Sequence, residues 1–409
     1  MALNGLPKVS IKYGNGALGQ TISSADGLLC LIVCGAVAVD DSFTLATTYS
    51  IRKLADLESL GVGLPISEDD PDIINNPLLH QTVSDFYQEA PEGTQLLVAG
   101  YPDTLSMSDV LSKSNSYARK IIEESNGEIR GLIVTKVSAE TPETTNGLNN
   151  DIPLAMLNAQ QLGDWSAETK YAPIFTILDG LNFTGNAQDL SDLKKGTNNR
   201  VGIVIGSVES KGANQAVGFV AGRIAQSSVD NNIGRVADGA LNTLTMYIGD
   251  KAAELADVES IYNKSYITFR TYTGISGYFI SDDLLATKET DDYNQLTRRR
   301  TIDKAARIAY IVLVEKLLEK VSVRSDGTML QPVIISWQQD VENAIAANMT
   351  ANGELSADTS DANDRGVECY IDPAQDVLAT STINVELRVR PFGYARYINV
   401  LLGFTINQN

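Results

Sequence analysis

Apolar and polar positions alternate with period two at the start of the chain. Val9, Ile11 and Tyr13 are interleaved with Lys8, Ser10 and Lys12, which is strand periodicity. The glycine-rich GNGALGQ at 14–20 then breaks the pattern. No hairpin partner follows. Residues 1–22 are therefore expected to form an arm whose strand pairs with a distant part of the chain or with another chain.

A different pattern fills residues 23–260. Leu28 to Val39 is almost continuously apolar, the signature of a strand covered on both faces. A helix is expected in SIRKLADLESLG, ending at Gly61, then a loop in SEDDPDIINN, a helix in HQTVSDFYQEA and a buried strand in TQLLVAGY. Further helices are expected around Val110 to Ser125, Pro153 to Leu162 and Gln215 to Ala225. Strands are expected at Gly131 to Val137, Ala172 to Leu178 and Arg200 to Val208. This alternation predicts an α/β body with a mostly parallel sheet.

From 261 to 409 strands and helices segregate, which predicts an α+β C-terminal domain. Ser265 to Ile280 is β-like. Asp291 to Val321 reads as one long helix with Ile302, Ala305, Ala306, Ala309, Val312, Leu313 and Leu317 on one face. Residues 331–351 read as strand or helix, with WQQDVENAIAANM helical, and NGELSADTSDANDRG as a loop. The chain closes on two β runs, STINVELRVRPF and YARYINVLLGFTI, with a closing strand expected at 394–406. The expected fold class is thus an α/β body followed by an α+β domain, with extended terminal β arms.

Composition narrows the functions available. A chain of 409 residues suggests two or three folding units. Hydrophobic residues at 43% and charged residues at 20% suffice for a buried core. The net charge of −19 argues against a nucleic-acid surface, which needs basic patches, and against anionic membranes. Cys30, Cys34 and Cys369 are too few for a disulfide scaffold, and the first two sit in an apolar run. The first residues lack a charged stretch leading into an apolar one, so no secretory signal is expected. No apolar run is long enough to span a bilayer. Synthesis and retention in the cytoplasm are expected, so the Asn-x-Ser/Thr triplets at Asn182, Asn263 and Asn348 carry no glycosylation.

Motifs for catalysis are weak. Gly14-x-Gly16-x-x-Gly19 matches a dinucleotide fingerprint as a string, but TISSADG follows it instead of a helix. A flexible hinge between arm and body is the plainer reading. There is no GxxxxGK[ST] loop. His80, the single histidine, stands at a helix start without a nucleophile elbow and reads as a surface or capping residue. No catalytic residue, cofactor or metal is assigned. The acidic groups Glu68-Asp69-Asp70, Asp282-Asp283 and Asp291-Asp292 read first as solvated loop charge. The run Arg298-Arg299-Arg300 opens a helix, where cations oppose the macrodipole. Acidic partners are expected for it, in this chain or a neighbouring one. Asp282 and Asp283 with Arg298, Arg299 and Arg300 are therefore candidate charges for salt links between subunits. Val9, Ile11 and Tyr13 in the first strand, and Ile398, Val400 and Leu402 in the last, are the candidates for strand pairing between subunits.

Several segments together resemble contractile tail sheath proteins of phage tails and injection systems. They are AVGFVAGRIAQSSVDNNIGRVADGAL at 216–241, GYFISDDLLA at 277–286, DYNQLTRRRTIDKAARIAYIVLVEKL at 292–317 and VRPFGYARYINVLLGF at 389–404. Over residues 1–215 the likeness is architectural only. The resemblance implies a non-enzymatic, homo-oligomeric subunit in hexameric rings stacked helically around an inner tube protein. It implies strand exchange between neighbours, contraction on a baseplate signal, and association with baseplate and tail terminator proteins. It implies no direct nucleic-acid contact and no membrane insertion. The location implied is a virion tail or injection particle assembled in the bacterial cytoplasm. Two other readings remain: an α/β enzyme binding a nucleotide or sugar, and another self-assembling protein such as a capsid or surface-layer subunit.

Overall fold

The computed structural model describes residues 26–67, 70–361 and 363–402. The candidate strand residues Val9, Ile11 and Tyr13, and the Gly14–Gly19 motif, lie outside the described residues.

The body is built on a six-stranded sheet. Its strands are β1 (Leu29–Cys34), β2 (Thr48–Ile51), then, after a small hairpin of β3 (Pro65–Ser67) and β4 (Asp70–Ile74), β5 (Leu96–Tyr101), β6 (Gly131–Lys136), β7 (Phe175–Asp179) and β8 (Val201–Val204). The spatial order is β8-β7-β6-β1-β5-β2, all parallel except β2, which runs antiparallel to β5 at one edge. Every residue of β1, β7 and β8 is buried. This explains why these strands are unbroken apolar runs: helices cover both faces of a parallel sheet. The β8 edge is not bare, since Ile267 donates to Ile203 O at 2.9 Å and accepts from Ile205 N at 2.8 Å.

The helices around the sheet are α1 (Leu54–Glu58), α2 (Pro77–Glu89), α3 (Met107–Leu111), α4 (Ala118–Glu124), α5 (Ile152–Thr169), α6 (Val217–Gln226) and α7 (Val258–Tyr262). They pack as pairs, α2 with α6 and α3 with α5. The first pair touches backbone to backbone. A Cβ on Gly218 would lie 2.4 Å from Thr82 O, and one on Gly222 would lie 2.4 Å from Phe86 O. Across the same seam Arg223 donates from Nε and Nη2 to Glu89 Oε2 at 2.9 and 2.7 Å, with both side chains buried.

Three local expectations need correction. The stretch expected as a loop at 67–76 contributes to the β3–β4 hairpin, whose base Asn75 closes onto Leu64 O at 3.0 Å and Gly61 O at 2.8 Å. The helix expected over 110–125 is two short ones, because the run Ser112–Tyr117 turns instead of continuing; α3 carries its own capping box of Ser106 and Asp109. The long helix is shorter than 291–321. As α8 (Leu296–Val314) it starts after Asp291, whose carboxylate accepts from Tyr293 N at 2.8 Å in a turn. It stops before Leu318, which has φ of 64°.

The core of the body does not stop near residue 260. It takes in Tyr266, Ile267, the hairpin β9 (Phe269–Tyr272) and β10 (Ile275–Ile280), then Leu285 and Leu296. A second core follows. There α8 packs on α9 (Gln331–Asn348), and α9 on the hairpin of β11 (Val367–Ile371) and β12 (Val385–Val389), through Ala305, Ala309, Val341, Ile345 and Cys369. Strand β11 has no counterpart among the expected elements. The face of α8 also differs from expectation: Ala306 and Leu317 are exposed, while Thr297, Arg299, Arg300 and Asp303 are buried. Among the described residues, 394–402 form no strand; 403–406 lie outside them.

Candidate functional site: an acidic cradle and the C-terminal segment

Four elements converge where β10 ends. Asp282 and Asp283 follow it after Ser281, and the start of α8 at Leu296 folds back against them. Asp283 accepts from Leu296 N through its carbonyl at 2.8 Å and from Thr297 N through Oδ2 at 2.7 Å. Its carboxyl group thereby satisfies N–H groups that a helix start leaves unpaired. The loop after α6 brings Asn232, whose Nδ2 bridges both acids, to Asp282 Oδ1 at 2.7 Å and Asp283 Oδ1 at 2.8 Å. The last residue of α7, Tyr262, donates its hydroxyl to Asp282 Oδ2 at 3.2 Å.

Into this cradle comes Arg396, the only charged residue of the segment 391–409. It grips Asp282 with two bonds, Nε to Oδ2 at 2.7 Å and Nη2 to Oδ1 at 2.9 Å. Its Nη2 is 3.5 Å from Asp283 Oδ1. Two residues earlier, Tyr394 donates its hydroxyl to Asp230 O. A bidentate guanidinium–carboxylate pair is both strong and directional, so these two contacts fix where the C-terminal segment leaves the body.

The two carboxyl groups are shifted in opposite directions. Burial alone would raise the Asp282 carboxyl, but the hydrogen bonds and charge of Arg396, with Asn232, outweigh it and hold Asp282 below the ordinary range. Burial and then the charge of Asp282 push Asp283 upward. Adjacent buried carboxylates cannot both ionise cheaply, and they titrate as a pair.

Beyond Arg396 the segment turns apolar and faces solvent. Tyr397, Ile398, Val400, Leu401 and Leu402 are 76–101% exposed. Ile398, Val400 and Leu402 are thus unpartnered within the described chain. The cradle was half legible: the acids stood out, but Arg396, Asn232, Tyr262 and Tyr394 were missed. A lone arginine in an otherwise uncharged tail was the available signal.

The arginine run at the start of α8 makes its hydrogen bonds away from the acid pair, although the charge of Arg300 lies near enough to interact with Asp283. Arg299 donates to Asp303 Oδ1 at 2.6 Å and stacks over Tyr293. Arg300 donates to Ser228 O at 3.1 Å, Ile224 O at 3.3 Å and Ser227 O at 2.8 Å. A cation is favoured there because those carbonyls form the C-terminal end of α6. Arg298 is half-buried, with Asn294 Oδ1 at 3.5 Å. Downstream, Asp303 also accepts from Arg200 at 3.0 Å, and Lys304 and Arg307 bind Asp26 at 2.6 and 3.1 Å. The first half of α8 is therefore ion-paired to the body on two sides.

The reversal of strand order between β1 and β6 is where an α/β enzyme would open a ligand crevice. Here the two loops are tied together. Val137 N donates to Cys34 O at 2.9 Å, and a Cβ on Gly35 would lie 2.7 Å from Val137 Cβ. Nearby, Asp179 is buried and its carboxyl pushed up to about 6 by that burial, while Thr135, Asn214 Nδ2 and Gln215 N all donate to it. It anchors the loop before α6. His80 pairs with Glu58 at 3.1 Å. Among the described residues no group of His, Cys, Asp and Glu is placed to hold a metal. No helix among them is long and apolar enough to cross a membrane.

Comparison with known proteins supplies the remaining context. No curated protein matches the sequence. Solved structures match along almost the whole chain, among them the following three. A chain of the anti-feeding prophage (AFP) baseplate has a TM-score of 0.61 and 15% identity, covering 99% of this chain and 100% of that one. The AFP helical sheath in its contracted state gives 0.61 and 14%, covering 98% and 99%. The contracted PVC sheath complex of an extracellular contractile injection system gives 0.57 and 14%, covering 99% and 98%. The fold is thus that of contractile-injection-system sheath proteins. Residues 6–284 match the N-terminal domain of DUF2586 and residues 292–409 its C-terminal domain. The chain belongs to the DUF2586 family.

Proposed function

We propose that this chain is the sheath subunit of a contractile injection system or phage tail. It polymerises as stacked hexameric rings around an inner tube, docks on a baseplate, and shortens to drive the tube through a target envelope. The observation that carries this reading is the whole-chain likeness to sheath proteins, which leaves no unmatched domain on either side. In this reading the work is mechanical rather than catalytic, with the energy stored at assembly.

The segment after Arg396 supports the reading. Isolated extended chain with free N–H and C=O groups is a template for pairing with another chain. Burying Ile398, Val400 and Leu402 in a neighbour would contribute about 1.5–3 kcal/mol for each side chain. Val9, Ile11 and Tyr13 are the proposed partners from the other end of the chain. Of the charges considered for contacts between subunits or with the tube, Arg298 is the least buried residue. Arg299, Arg300, Asp282 and Asp283 already have partners within the chain.

The test is electron microscopy of the purified chain over a range of concentration and salt, beside the double variant Ile398→Asp/Val400→Asp. Both side chains are exposed, so the subunit should stay folded. Hollow striated tubes from the parent and dispersed particles from the variant are expected. Closed shells or flat lattices from the parent would remove the sheath reading. Tubes from both would remove the role given to the segment.

A further inference from the structure

The cradle is built so that its grip on the C-terminal segment depends on protons. Two carboxyl groups, 5% and 0% exposed, share one amide and face one guanidinium. With Arg396 seated, Asp282 is held ionised. With Arg396 withdrawn, the same carboxyl keeps its burial and its acidic neighbour but loses its cation. Both remaining influences favour the protonated form. Seating the arginine therefore expels a proton from the cradle, and adding protons opposes seating.

We propose that Asp282, Asp283 and Arg396 form an acid-released latch: proton uptake by the cradle lets residues 394–402 leave the body. The groups facing the pair are few. The C-terminal segment presents Arg396, Tyr394 and Tyr397, α7 presents Tyr262, α8 presents Arg300, and the loop after α6 presents Asp230. Burial raises Tyr262 and Tyr394, which stay neutral in acid. Burial draws Arg300 down to about 10, so it stays cationic. The acid pair is then the part of this assembly open to protonation in acid: Asp283 first, its carboxyl pushed up to about 7 with Arg396 still seated, and Asp282 after it.

The sign follows from linkage. Asp282 is depressed in the seated state and raised in the open one. The latch is fully closed above the open-state value and weakens as pH falls from there towards the seated value. For one coupled proton the equilibrium shifts about tenfold per pH unit across that window. The segment has few other ties: beyond Arg396 its side chains face solvent, before it the Tyr394 hydroxyl reaches Asp230 O and the Thr297 side chain, and the Gln295 side chain lies against the Arg396 guanidinium.

The latch belongs to one subunit and is tested on the full chain at a dilution where electron microscopy shows dispersed particles. Its consequence, that acid loosens contacts between subunits, rests on the sheath reading, and the test does not. All three cysteines are buried, so Ala395→Cys, on an exposed residue between the two anchors, offers one reactive thiol for a nitroxide spin label. The expected spectrum is immobilised near about pH 7.5 and becomes mobile towards about pH 4.5, with far-ultraviolet circular dichroism unchanged. Asp282→Asn in this background is expected to be mobile at every pH. Arg396→Gln, a change on the segment itself, is expected to match it and guards against a cradle variant that misfolds. An unchanged spectrum across the range overturns the proposal, as does mobility that appears only with loss of helix signal, or an immobile label in Arg396→Gln.

Discussion

Asp303 sits on the buried face of α8, 3% exposed, and accepts from Arg200 and Arg299 together. Both guanidiniums are themselves nearly buried. Removing Asp303 leaves the buried Arg299 without its carboxylate and Arg200 with that of Asp164 alone. Asp303→Ala is therefore expected to lower unfolding free energy by about 3–5 kcal/mol, read from urea denaturation. Asp85 presents the opposite case. It is buried in the α2–α6 seam with Gln81 donating to it, and burial pushes its carboxyl up to about 7. A raised folded value means stability is fully present below the ordinary aspartate range and is lost as pH rises through the folded value. Asp85→Asn should be near neutral at about pH 4 and stabilising by about 1–3 kcal/mol above about pH 7. A parallel pair of stability–pH curves would contradict this.

Elements were legible where one local pattern decided them. LCLIVC at 29–34 announces a strand covered on both faces, and β1 is buried at every position. Val-Gly-Phe-Val-Ala-Gly at 217–222 announces a helix, but only the structure shows what its glycines are for. With Gly222→Leu the side chain must displace the Phe86 carbonyl, since even a Cβ falls 2.4 Å from it. The expected loss is about 1–3 kcal/mol, visible as a lower melting temperature. Gly274, which has nothing near its Cβ position, is not a matched control because its φ is +82°. The β3–β4 hairpin was hidden by its proline and acidic residues, which read as loop. Strand β11 was hidden by the turn-rich segment before it. The cradle was hidden for another reason: Arg396 and Asp282 are 114 residues apart in sequence, and nothing local in either stretch names the other.

At the scale of the molecule, α8 belongs to two cores at once. Its first residue, Leu296, is packed into the body, while Ala305 and Ala309 are packed against α9 and its neighbours. The salt links of Asp26 to Lys304 and Arg307, and of Lys304 onward to Glu354, tie the same helix to both sides. A flexible linker is what normally lets two domains swing; here the connection is a continuous rod. Weakening the ties without breaking the rod, as with Asp26→Asn, is expected to leave one thermal transition rather than two. Two separate transitions in calorimetry would show that the cores are independent. On the sheath reading proposed above, such a subunit acts as a rigid lever. A load applied at the C-terminal hairpin is carried into the sheet with little lost to internal bending, so any large change in the length of an array of these subunits must come from their sliding and turning against one another.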